Sequence, residues 1–396
     1  MQPKRRFMWL LALLAAFSLV AAACGDDDDD DAGEDTDTTE EDSGEETTDD
    51  TEATEDEGGE DEGAMDMDLS GTLDGAGASS QAAAMQGWQA GFQGQYPDVT
   101  VNYDPIGSGG GRERFLSGAT SFAGSDAIMD EEEYASSVER CPGDQGAIHL
   151  PHYISPVAAA FNIDGIDSLN LAPEVLAGIF AETITNWNDP AIAEDNPDVE
   201  LPDLAITPVH RSDESGTTEN FTDYLAVVAP DVWTFGPVES WPGELGGEGG
   251  AQTSGVVQAV QAGNGAIGYA DASQIGDLGV VAVGVGEEFV EYSPEAAARI
   301  VDVSERIEGN SEYDFAYELQ RDTTESGTYP IALVSYHIVC LEYDDQEELD
   351  LVKAFMLYIG SPEGQDASAE SAGSAPISDE LRGQLEEAVN AIALAG

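Results

Sequence analysis

Val101–Ala127, "VNYDPIGSGGGRERFLSGATSFAGSDA", decides the fold class. The apolar strand pattern that starts at Val99 runs into a Gly/Ser-rich turn at 107–111. A helical pattern follows over Gly110–Ser117, and Asp126 then stands at a strand-to-loop edge. The same rhythm recurs along the chain. Strands are expected at Val99–Tyr103, Ser155–Asn162, Ile206–Val209, Ala266–Ala270 and Pro330–Leu341. Helices are expected at Ser80–Tyr96, Gly110–Ser117, Pro173–Ala181, Thr218–Val228, Gly255–Ala262, Glu348–Gly360 and Ser378–Ala393. Alternation of this kind, with no internal repeat, predicts an α/β architecture.

Gly/Ser-rich turns precede several of these helices: "DGAGASS" at 74–80, "GSGGG" at 107–111 and "SGTT" at 215–218. A helix N-terminus offers unpaired N–H groups and a positive dipole end, so it can hold an anion without a formal cation. Any one of these turns reads equally as an ordinary capped helix start, since Ser and Thr are good N-caps. Together, and with one arginine, they point to an anion site. "GSGGGRER" lacks the Gly-Lys-Ser/Thr ending that reaches nucleotide phosphates, so it is not a nucleotide-binding P-loop. Ser108 is left as a hydroxyl and N–H donor to a small ligand.

Two further stretches carry the selectivity. In "HRSDESGTT" (210–218) the Arg211 fork can grip two oxyanion atoms, Asp213 can hold the guanidinium, and Ser215, Gly216 and Thr217 can open a helix towards the ligand. An exposed Arg–Asp surface pair is the bland alternative. In "FAGSDA" Asp126 reads either as a turn residue bonding its own backbone or as a ligand group. A carboxylate suits an anion only if the anion carries a proton. Asp126 could then accept the O–H of a protonated phosphate, whereas sulfate has none to give, and an unsatisfied polar group costs about 1–3 kcal/mol before charge repulsion is added.

Composition bounds the rest. Lys4, Arg5 and Arg6 precede an apolar run ending at Ala23, which predicts a secretion signal over 1–23. The small residues before Cys24 resemble a bacterial lipobox and imply lipidation of that thiol; Ala21 stands where leucine is usual, and a plain signal peptide is the alternative. Asp26–Glu62 holds 23 acids and no Lys or Arg, so 24–68 is expected to be a disordered, self-repelling tether. From Leu69 to Gly396 there are 56 acidic against nine basic residues, a formal charge of −47, which argues against nucleic acid and anionic membrane faces as partners.

Cys141 and Cys340 can form a disulfide in an oxidising compartment or remain two buried thiols. The four histidines, His149, His152, His210 and His337, fall in no metal-binding spacing, and "HLPHY" reads as extended. Neither a metal nor a cofactor is expected.

Taken together, "GAGAS" (75–79), 101–127, "HRSDESGTTENFTDYL" (210–225), "GNGAIGYAD" (263–271) and "YPIALVSYHIV" (329–339) resemble the PstS family of extracytoplasmic phosphate-binding proteins. The resemblance covers the body and not the acidic tether. It implies a two-lobed, type II periplasmic-binding-protein fold with two crossovers and the ligand in the interlobe cleft. Lobe I would be 69–153 plus 272–396, and lobe II 154–271. It also implies phosphate-binding roles for Ser79, Ser80, Ser108, Asp126, Arg211, Ser215, Gly216 and Thr217, with Asp213 as the salt-linked support. Ser80 departs from the family, where an aromatic residue is common, although a backbone N–H contact survives the change.

The expected function is therefore capture of inorganic phosphate by a monomeric, lipid-anchored protein and its delivery to the permease of an ABC importer, without catalysis. A receptor for sulfate, arsenate or another oxyanion is the nearest alternative, and an adhesion or sensing module on the same fold is another. A secreted serine hydrolase or phosphatase using Ser215 or Ser108 is disfavoured, because no G-x-S-x-G elbow supports it and His210 is the only tempting base.

Overall fold

The computed structural model describes residues 68–307 and 310–396. The expected signal peptide, Cys24 and the tether up to residue 67 lie outside the described residues. The opening stretch folds as its pattern suggests. Strand β1 (Gly71–Gly77) leads through helix α1 (Ala82–Gln95) to β2 (Val99–Asp104), and α2 (Ser108–Leu116) leads on to β3 (Phe122–Ser125). Both β2 and β3 lie parallel to β1, one on each side. "DGAGASS" is thus only partly a turn. Its first residues finish β1, which runs to Gly77, and α1 starts at Ala82.

Helix α3 (Glu131–Arg140) begins with an Asp130–Glu133 capping box. After it comes β4 (Ala147–Phe161), buried along its entire length. Its Ala147–Pro156 portion pairs antiparallel with β13 (Ala332–Cys340), whereas Val157–Phe161 pairs with β8 (Ala266–Asp271). One strand therefore serves two halves of a curled sheet whose order is β2-β1-β3-β13-β4-β8-β6-β7. Only the later part of β4 was expected from sequence, because Pro151 and two histidines interrupt the apolar run of its first part. His149 and His152 do lie in extended chain, as "HLPHY" suggests.

The second half of the sheet follows the same α/β logic. It contains β5 (Ser168–Leu171), α4 (Pro173–Phe180), α5 (Pro190–Asp195), β6 (Thr207–Arg211), α6 (Gly216–Val228), β7 (Glu248–Gly250) and α7 (Gln252–Ala262). β6 lies parallel to both β7 and β8. β9 (Gly279–Val285) pairs with β5 and with Ala160 and Phe161 of β4, and β10 (Glu288–Val290) pairs back on β9. The chain then returns through α8 (Pro294–Asp302) and the short β11 (Glu305–Arg306) and β12 (Tyr317–Glu318) to β13. Helices α9 (Gln346–Gly360), α10 (Pro362–Ala372) and α11 (Asp379–Ala391) finish the fold, with α1 packed on α9 and α10.

Two local features position the site. The β13–β4 register shifts between Ser335 and Tyr336, which face Tyr153 and Pro151, so His152 is the extra residue of a bulge. Cys141, at the end of α3, is joined to Cys340, at the end of β13, in a disulfide with Cα atoms 5.5 Å apart. It cross-links the α3–β4 connection to the strand that carries Ser335.

Candidate ligand-binding site

Asp126 follows β3 and is almost fully buried. The chain surrounds its carboxylate with hydroxyls. Ser80 Oγ donates at 2.7 and 2.8 Å to its two oxygens, Thr217 Oγ1 donates at 2.7 Å to Oδ2, and Ser335 Oγ donates at 2.5 Å to Oδ1. Its backbone is held as well, since the Asp126 N–H donates to Ser108 Oγ at 3.1 Å and its carbonyl accepts from Asn220 Nδ2 at 2.7 Å. Burial drives the Asp126 carboxyl above its ordinary range, while the Ser335, Ser80 and Thr217 bonds and the charge of Arg211 pull it back.

Arg211 ends β6 and is 3% exposed, so it is no surface cation. Its Nε donates to Asp213 Oδ1 at 2.9 Å and its Nη2 donates to Oδ2, a fork-on-fork pair. Asp213 also accepts the Gln252 N–H at 2.9 Å, which satisfies one orphan donor at the start of α7. Burial works against the Asp213 charge, yet the guanidinium and this N–H hold its carboxyl below the usual range. Asp213 therefore stays ionised, and it engages two of the five N–H donors of the guanidinium.

Helix α6 opens beside this pair. Ser215 is its N-cap and accepts the Thr218 N–H at 3.2 Å, while the Ser215 N–H donates to Glu239 O. Gly216 packs against the Asp126 turn so tightly that a Cβ built there would lie 2.6 Å from Ala127 N. Gly107 has a similar role on the other side. Its φ is +101°, which L side chains rarely adopt, and a Cβ would lie 2.7 Å from Asp213 Oδ2. The turns at 107–108 and 211–217 are therefore in contact, with Asp126 between them.

The residues expected to bind the ligand, Ser79, Ser80, Ser108, Asp126, Arg211, Ser215, Gly216 and Thr217, with Asp213, come together here, although not all as free donors. Ser79 Oγ accepts the Thr253 N–H at 3.0 Å and lies 2.9 Å from Thr253 Oγ1, so its hydroxyl is engaged with the start of α7. Sequence reasoning missed Thr253, Gln274 and Ser335. "GGAQTSG" (249–255) is a helix start of the same Gly/Ser/Thr type as the others and could have flagged Thr253. Gln274, whose amide holds the Ser79 and Ser80 carbonyls, and Ser335, within an apolar strand, carry no such signal.

Two buried arginines clasp the surroundings. Arg112 donates to Glu133, to Ser125 Oγ at 3.0 Å and, through both Nη atoms, to Glu239. Arg321 donates to Asp223 at 3.0 Å, to Asn220 Oδ1 at 2.5 Å and to the Pro330 and Ala332 carbonyls. Beside them, burial together with the charge of Glu239 pushes the Glu219 carboxyl up to about 7. His210 is held differently. Its ring stacks on Trp241 with centroids 4.8 Å apart, and its Nδ1 lies 2.8 Å from the Arg211 carbonyl.

Fold and site together define a class, the periplasmic-binding-protein superfamily, and a family model described as a PBP superfamily domain matches residues 43–363. Phosphate-binding protein PstS 3 of Mycobacterium leprae is 37% identical over 330 residues, covering 81% of this chain and 87% of the relative. Phosphate-binding protein PstS 2 of Mycobacterium tuberculosis is 33% identical over 332 residues, with the same coverage of 81% and 87%. The chain belongs to the PstS family. Among solved structures, the high affinity periplasmic phosphate-binding protein PfluDING, bound with phosphate, superposes with a TM-score of 0.65 at 20% identity. It covers 80% of this chain and 93% of its own, and it supports the fold.

Proposed function

We propose that this chain binds one inorganic phosphate at the Asp126–Arg211 site and delivers it to the membrane permease of an ABC importer, performing no chemistry on it. The observation that carries the reading is the meeting of opposite chemistries. A carboxylate at Asp126 and a guanidinium at Arg211, contributed by separate stretches of chain, lie close enough for the Arg211 charge to act on Asp126, and Thr217, at the helix start that follows Arg211, donates its hydroxyl to Asp126 at 2.7 Å. An anion that also carries a proton answers both. The guanidinium, the N–H groups at the start of α6 and the hydroxyls of Ser80, Ser108 and Thr217 would face its oxygens, and Asp126 would accept its O–H.

In this reading the molecule has two lobes hinged at β4 and at the return from β10 to β13. The pairing of β9 with β5 supports counting 279–290 with the second lobe, whose boundary was expected above at 271. Lobe I then contributes Ser79, Ser80, Ser108 and Asp126, and lobe II contributes Arg211–Thr217. Lipidation at Cys24 would hold the protein at the outer membrane face, with the acidic segment as a spacer. Among the described residues no hydrogen bond joins His210 to Ser108 or Ser215, as a hydrolase reading would need: the His210 Nδ1 lies by the Arg211 carbonyl, Ser108 Oγ accepts the Asp126 N–H and Ser215 Oγ accepts the Thr218 N–H. Calorimetry should find one phosphate per chain, and a chromogenic phosphate ester should not turn over; no heat of binding, or sustained turnover, would overturn the proposal.

A further inference from the structure

Ser335 is fully buried in β13, beside the bulge, and is unlike the other hydroxyls on Asp126. Ser80 and Thr217 stand at helix starts, where they can share their protons with a ligand. Ser335 is held from behind. Gln81 Nε2 donates to Ser335 Oγ at 2.6 Å, and the Tyr336 carbonyl, 3.4 Å from the same Nε2, is a second acceptor that favours this placement of the amide nitrogen. With a donor already directed at its oxygen, the Ser335 hydroxyl has one proton and one place to put it, Asp126 Oδ1 at 2.5 Å. Gln81, Ser335 and Asp126 thus form a one-way donor chain that ends on the carboxylate.

The surroundings make such a chain necessary. Arg211 from β6 faces Asp126 as a cation, but its fork is shared with Asp213. Asp271, at the end of β8, is a second buried carboxyl, which burial pushes up to about 6 with the Asp126 charge adding to the rise. Tyr103 from β2 also feels the Asp126 charge. Arg112 from α2 is committed to Glu133, Glu239 and Ser125. A carboxylate buried in this company tends to take up a proton, and a protonated Asp126 would donate to any oxyanion instead of accepting from one.

We propose that Ser335, oriented by Gln81, is the positioning residue that keeps Asp126 a proton acceptor and so maintains discrimination between protonated and unprotonated oxyanions. This rests on the phosphate reading above. Ser335 does not touch the ligand. It acts through Asp126, by a bond that favours the ionised form and so resists protonation as the pH falls.

The test is calorimetric titration of the purified chain with inorganic phosphate and with sulfate over a mildly acidic to neutral pH series. Unmutated protein, Ser335→Ala, Asp126→Asn and the double variant are compared, and thermal melts check that each folds. Loss of one charge-assisted bond is expected to move the acidic limb of phosphate binding in Ser335→Ala up by about one pH unit. The phosphate-to-sulfate affinity ratio should fall about tenfold on that limb. In the Asp126→Asn background Ser335→Ala should change the ratio no further. Gln81→Met should move the limb the same way by a smaller amount, and it carries the test if Ser335→Ala does not fold. An unmoved limb, or an equal fall of both affinities in both backgrounds, would leave Ser335 a packing residue and overturn the inference. If the unmutated protein takes up no phosphate, the functional reading itself fails, a result distinct from either.

Discussion

Arg211 shows how a single residue's meaning depends on its burial. In an exposed setting its pair with Asp213 would contribute little. Here the guanidinium is 3% exposed, and Asp213 is tied in turn to the Gln252 N–H, so the cation is fixed in direction before any ligand arrives. Arg211→Ala is expected to weaken phosphate binding by about a hundredfold or more in a calorimetric titration, since a charge-assisted contact contributes about 3 kcal/mol. Lysine should not restore it, because a point charge cannot grip Asp213 and a ligand in the same plane. Unchanged affinity in Arg211→Ala would remove the residue from the site. Glu219 allows a second prediction at this scale. Its carboxyl is raised from 4.5 to about 7, so the folded state favours the protonated form. Its contribution to stability is full below about pH 4.5 and is lost as the pH rises through about 7. Glu219→Gln should therefore gain stability relative to the unmutated protein over that interval, by up to about 3 kcal/mol, in denaturant melts at a series of pH values. A pH-independent difference would contradict it.

Among the elements, the helix starts carry the site. Those of α2 and α6 and the turn before α1 were legible as Gly/Ser/Thr clusters, because a helix that receives a ligand must leave its first N–H groups uncovered by bulk. The start of α7 was expected three residues late, at Gly255, because Gln252, with a φ of +62°, is not a residue that marks a turn, although the Gly/Ser/Thr cluster around it is of the same kind as the others. Among the strands, β4 was half-read for a related reason. A strand buried on both faces has no alternation, and polar residues in its first part hide it. Ser335 could not be singled out as an Asp126 partner, because strand pairing between β3 and β13 brings together positions that are distant in sequence. The contact between α6 and the Asp126 turn predicts a further outcome. In Gly216→Ala the new Cβ meets backbone at Ala127 N and Asp126 C, which cannot rotate away, so the two turns must part. Phosphate affinity should drop by roughly tenfold or more with little change in melting temperature, an outcome readable by calorimetry and thermal melt together. Full affinity would show that the contact is not part of the bound state.

For the molecule as a whole, charge opposes the proposed function, since a body of formal charge −47 repels the anion it is proposed to bind. The geometry removes the conflict by making attraction local. Arg211, Arg112 and Arg321 are buried and each is paired with a carboxylate, so the far field stays negative, and attraction of the proposed ligand rests on donors aimed at it, the guanidinium N–H groups not bonded to Asp213 and the N-terminus of α6. Phosphate association should accordingly speed up as salt is added and screening removes the repulsion, measured by stopped flow. A steep fall with salt would mean that cationic steering dominates. The central claim is that Asp126 accepts a hydrogen bond from the O–H of the bound anion. It is tested most directly by titrating one preparation with phosphate and with sulfate under the same conditions. Stoichiometric phosphate binding with sulfate bound at least about a hundredfold more weakly is the predicted result. Comparable affinity for the two would contradict it.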